Sequence, residues 1–114
     1  TITPNSATNV FEITVTLFAS HSSGAAAYTV AGVFRDAEVS AIGGGWTSDN
    51  TSFAVYRLNF TFKVTTGSTS AQTFKLRYGP ATATGTVYAN GNSLGSRVLG
   101  GVLYSSMNVK EIKA

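Results

Sequence analysis

Residues 52–65 read SFAVYRLNFTFKVT. Apolar side chains take every second position: Ala54, Tyr56, Leu58, Phe60, Phe62 and Val64. Arg57, Asn59, Thr61 and Lys63 fall between them. A period of two belongs to a strand, whose successive side chains point to opposite faces. The run therefore sets one face on an apolar core and the other in water. Residues 73–78, TFKLRY, repeat the pattern, with Phe74, Leu76 and Tyr78 against Thr73, Lys75 and Arg77. The turn formers Gly67, Ser68, Thr69 and Ser70 lie between the two runs, so the pair reads as a hairpin.

The same period extends outward in both directions. Near the start, Phe11, Ile13, Val15 and Leu17 alternate with Glu12, Thr14 and Thr16. Residues 103–112 are rich in β-formers and read as the last strand. Weaker strands are expected over 27–34, 37–42 and 85–89. Their Gly and Thr content disfavours helix. Turn signals separate the runs at 21–24, 43–45, 48–50, 79–80 and 90–92. Asn90-Gly91 is the strongest of them, because both residues tolerate positive φ. Short strands spaced every ~8–12 residues make a sandwich or barrel. The expectation is all-β: a jelly-roll β-sandwich of about eight antiparallel strands, in a single domain covering residues 1–114.

Composition narrows the partners. Hydrophobic residues make up 43% of the 114 and charged residues only 11%, less than half the usual ~25%. The surface is thus polar but largely uncharged. The eight Lys and Arg are scattered, which argues against nucleic acid as a partner. No stretch approaches the ~20 apolar residues of a membrane helix, and no membrane insertion is expected. Cysteine is absent, which favours a prokaryotic, viral or intracellular source over a secreted animal domain. The chain opens on Thr1 without Met and reads as the C-terminal fragment of something longer.

The residues offer little reaction chemistry. The single histidine, His21, sits in a Ser/Gly-rich turn, and no spacing ties it to a nucleophile and an orienting acid. No enzyme is expected. Asp36 and Glu38 would share one side of a strand, but the five acids are dispersed, so neither metal nor cofactor is expected. Gly43-Gly44-Gly45 lacks the Lys-Ser/Thr of a phosphate loop. What remains suits binding. Trp46 follows the three glycines, either capping a core or an interface or stacking on a sugar ring. His21, Asp49, Asn50, Asn90, Asn92 and Arg97 add polar groups that match hydroxyls. With Trp46 they form the candidate ligand-binding set, carried on the turns at 21–24, 43–50 and 90–97.

Three segments carry a resemblance. They are ITPNSATNVFEITV (2–15), then LNFTFKVTTGSTSAQTFKLRYG with GTVYANG (58–79 and 85–91), and the terminal SSMNVKEIKA (105–114). In that order they resemble the C-terminal domains of bacteriophage tail-fibre and related virion proteins. The chain departs at Lys63-Val64-Thr65, where that family carries an aromatic or small residue and Asp, and in its looser ending. Such domains are similar to the tumour-necrosis-factor and complement globular-head jelly roll. The resemblance implies a homotrimer at the virion's fibre tip, outside the cell, adhering to a host-surface glycan or protein through inter-strand loops. A trimer buries an apolar strip on its axis. Phe53, Val55, Tyr104 and Met107 are candidates for that strip, or else for ordinary core. Two rival expectations stand beside this one: a structural virion module that trimerises without binding a receptor, and a monomeric carbohydrate-binding module of a polysaccharide-active enzyme.

Overall fold

Phe11, Ile13, Val15, Leu17 and Ala19 are all but completely buried. They are the inward set of the longest strand, β1 (Val10–His21), and the sandwich is assembled around them. The computed structural model describes residues 1–22, 27–49, 54–82, 85–92 and 94–114. Its further strands are β2 (Ala27–Arg35), β3 (Gly43–Asp49), β4 (Tyr56–Thr65), β5 (Phe74–Pro80), β6 (Val87–Ala89) and β7 (Ser106–Ile112). A single 3₁₀ turn spans Leu99–Gly101.

The strands form two antiparallel sheets, giving the expected β-sandwich with seven described strands. In the first sheet β4 runs along one edge of β1, from Val10 opposite Thr65 to Ala19 opposite Tyr56. The other edge of β1 is shared. β7 covers its first half, and β6 covers Ala19 to His21. The second sheet has the order β3-β2-β5. The even residues of β4 do point inward. Phe60 and Phe62 join Val33, Leu76 and Phe74 around Phe11, Ile13 and Val15. Leu58 and Ala31 close the other end of the core with Leu17 and Ala19.

The expected hairpin between the two strongest runs does not form. β4 pairs with β1 and β5 pairs with β2, in opposite sheets. A hairpin would have put Phe60, Phe62, Phe74 and Leu76 on one side of one sheet. Crossing over lets these rows face and cover each other, which removes more apolar surface from water. The crossing is held by buried polar groups. Thr66 Oγ1 donates to the Ser6 carbonyl at 2.6 Å, and Gln72 Nε2 donates to the Thr66 carbonyl at 2.7 Å.

Two further expectations are corrected. The glycine run is not a loop but the start of β3, with Gly43 opposite Val33 and Gly45 opposite Ala31. A Cβ at Gly43 would lie 2.6 Å from the Phe62 ring, and one at Gly45 would lie 2.9 Å from Phe60. Only glycine lets this strand approach the aromatic row. Conversely, residues 37–42 form no strand. Asp36 takes φ 51° and turns the chain, its carboxylate accepting the Thr73 N–H at 2.7 Å. Arg35 and Glu38 pair across this turn at 2.8 Å, so Asp36 and Glu38 share no strand face.

Chain segments from both ends meet at one carboxylate. Glu111 on β7 accepts the Asn9 amide at 2.7 Å and both the backbone N–H and the side chain of Asn5 at 2.8 Å. These bonds, the Asn9 amide first, hold its carboxyl below the usual carboxylate range.

Candidate ligand-binding face and cleft

The outer faces of the two sheets differ in chemistry. On the β1 sheet Val10, Phe18 and Ile112 are apolar outward residues, but the middle of the face is polar and its groups satisfy one another. Thr14 bonds Thr61 at 3.0 Å, Thr16 donates to Asn59 at 3.1 Å, and Lys63 lies 3.7 Å from Glu12. The outer face of the three-stranded sheet is apolar and aromatic. β2 buries Thr29, Ala31 and Val33, and so turns Tyr28, Val30 and Phe34 outward. Trp46 on β3 stands opposite Val30 and is 66% exposed. Its ring lies 5.6 Å from that of Tyr28. Arg77 of β5 lays its guanidinium 4.7 Å over the Phe34 ring. Over Gly32 the Ala41 side chain and the Phe34 ring close in, 3.1 and 3.4 Å from where a Cβ would stand, and a shallow groove of about 310 Å³ runs along β2 and β5 from Val30 past Phe34 and Arg77.

Tyr78 borders a deeper feature. A cleft of about 470 Å³ opens between the end of β5, β6 and the segment 90–104. Tyr88, Asn90, Arg97 and Tyr104 line it. Its rim is built by local backbone geometry. Asn90 adopts φ 60°, and its N–H donates to the Phe18 carbonyl at 2.8 Å. Gly91 then bridges back to Arg97, closing a loop that Asn92 braces from within. The Asn92 carboxamide oxygen accepts the N–H groups of Leu94 and Ser96, both at 3.0 Å. Ser105 fixes the Asn90 carboxamide by donating to its oxygen at 2.7 Å, while accepting the Phe18 N–H at 3.0 Å.

The candidate residues from the sequence fall in different places. Asn90, Arg97 and Tyr104 come together at the cleft. Asn92 braces its own turn instead. Trp46 stands clear of the core on the outer sheet face. His21 is not in a loop: it ends β1, is 2% exposed, and lies with its ring against Gly85, which takes φ 90° there. Burial removes it from direct contact with a ligand. Asp49 ends β3, but its side chain, like Asn50 and Phe53 entirely, lies outside the described residues. Val55 is half-buried just ahead of β4. Met107 faces inward and packs on the core around Phe11, Ile13 and Val15.

Sequence reading passed over Tyr28, Phe34, Tyr78 and Tyr88. A signal was present in β2, where both alternating sets are apolar: Tyr28, Val30 and Phe34 as well as Ala31 and Val33. A strand of that kind carries apolar surface on both sides, and only one side can belong to the core. Among the described residues no three His, Cys, Asp or Glu side chains gather into a potential metal site. No family model matches this chain, and no curated protein matches it in sequence.

Proposed function

We propose that the domain is a non-enzymatic adhesion module at the tip of a phage tail fibre, which holds a host-surface glycan on the outer face of its three-stranded sheet. One observation carries the binding role: Trp46 and Tyr28 are displayed together, ring beside ring, on two paired strands instead of being folded into the core. Large exposed apolar patches mark interaction sites. A pyranose presents one apolar face and a rim of hydroxyls. It covers such rings while the polar neighbours meet its edges. The fibre-tip attribution rests on the resemblance of segments 2–15, 58–79, 85–91 and 105–114, and it carries a homotrimer with it.

The test is a glycan array and a host-adsorption competition with wild type and Trp46→Ala. Binding that is lost in the variant, with folding intact, supports the reading. Adsorption that does not change, or wild type that retains no glycan at all, overturns it.

A second reading, a structural virion module, is favoured by a separate observation. Leu94, Leu99, Val102 and Tyr104 are each 69% or more exposed within one short segment. Such a segment suits burial against another protein or another copy. Light scattering separates the cases. A mass three times 11.8 kDa supports the trimer common to both. The monomer mass removes it and leaves a free-standing glycan-binding module.

A further inference from the structure

We infer that the cleft beside Tyr78 is an anion subsite, and that the glycan carries an acidic sugar whose charged group seats against Arg97. The inference rests on the glycan reading above and adds the ligand's chemical class. Its first support is the composition of the cleft. Tyr78, Tyr88 and Tyr104 supply hydroxyls and ring faces, Asn90 a carboxamide and Arg97 a cation, while no carboxylate lines it. The Asn90 oxygen is already occupied by Ser105, so its amide nitrogen is the part left to donate. The side chains thus offer mainly donors, which suits an anionic acceptor.

The second support is how Arg97 is placed. Four of the eight cations have local partners among the described residues: Arg35 pairs with Glu38, Lys63 with Glu12, Lys75 donates to the Asp36 carbonyl, and Arg77 lies over Phe34. Arg97 pairs with no carboxylate among the described residues. Its side chain lies along Gly101, where a Cβ would come within 3.1 Å of the guanidinium. Gly101 takes φ 94° and leaves that lane open. The bridge from Gly91 to Arg97 fixes the base of the side chain. A guanidinium held this way presents a planar fork that fits a carboxylate or phosphate in two bonds. Tyr78 is the register partner of the inward Ala31, so its ring faces the cleft side of β5, while its neighbour Arg77 faces the aromatic groove. β5 is an edge strand, and an oligosaccharide that meets both passes around that edge.

The experiment compares three oligosaccharides of equal length by calorimetry: neutral, uronate-bearing and phosphate-bearing. Wild type should bind an acidic form at least about tenfold more tightly than the neutral one, with the preference shrinking in high salt. Whichever acidic form wins identifies the group. Arg97→Gln should bring the acidic-to-neutral ratio to about one, and Gly101→Val, which displaces Arg97 without removing it, should do the same. Arg97→Lys should keep part of the preference. Equal binding of all three by wild type, or a preference that survives Arg97→Gln, overturns the anion subsite while leaving the glycan reading standing. Failure to bind any of the three overturns both.

Discussion

The side-chain amide of Asn9 donates to Glu111 at 2.7 Å, joining positions 102 residues apart. With Asn5 it holds the Glu111 carboxyl below its ordinary 4.5. A carboxylate whose folded-state pKa is depressed adds stability that is complete above the unfolded value. That stability is lost as pH falls through the folded value. Glu111→Gln should therefore melt lower than wild type at neutral pH. The gap should close on acidification below 4.5. Thermal melts of both proteins across that range check it, and a gap independent of pH would sink it.

Gly43 leaves no space for even a methyl group. Gly43→Ala should lower stability by about 1–3 kcal/mol, because the new Cβ meets the Phe62 ring. Adding Phe62→Leu to that variant should restore part of the loss. Denaturant titration of the single and double variants measures the coupling between the two sites.

Phe11 is fully buried and meets Phe74 edge to face, the centroids 5.3 Å apart. Phe11→Ala should cost about 3–5 kcal/mol. Domains of this kind hold only about 5–15 kcal/mol in total, so the unfolding midpoint in urea should drop sharply. The slope of the transition should stay the same if the native sheets persist.

Trp46 is the sole tryptophan, and its ring is largely in solvent. Native fluorescence should be red-shifted and readily quenched by acrylamide. It should change little on unfolding but markedly when glycan is added. A blue-shifted, unquenchable native emission would place Trp46 inside an interface and favour the structural reading.

The sequence makes the strands easier to read than their partners. Phe11 to Leu17 and Leu58 to Val64 declare themselves because their apolar residues alternate without interruption. The crossing between β4 and β5 does not, since it depends on Thr66 meeting Ser6 and Gln72 bridging Ile2, contacts that span sixty residues or more. Gly43 to Gly45 mislead for a related reason. Glycine is a poor strand former, and what demands it is the aromatic row of a strand elsewhere in the chain. At the candidate site, Asn90 and Arg97 are legible as polar loop residues. That Asn92 is consumed by its own turn, and that Tyr78 and Tyr88 join the cleft, follows only from how β5 and β6 end.

The shared edge of β1 also sets an order on synthesis. A nascent chain can lay β4 against β1 early and β6 against Ala19 to His21 next, but the Val10–Thr16 part of that second edge stays open until β7 has emerged as far as Ile112, the register partner of Val10. Until then a long strand displays unpaired amides to its surroundings. Translation that stalls before β7 emerges should leave a sticky intermediate, which makes the final stretch of this sequence the one that protects the first.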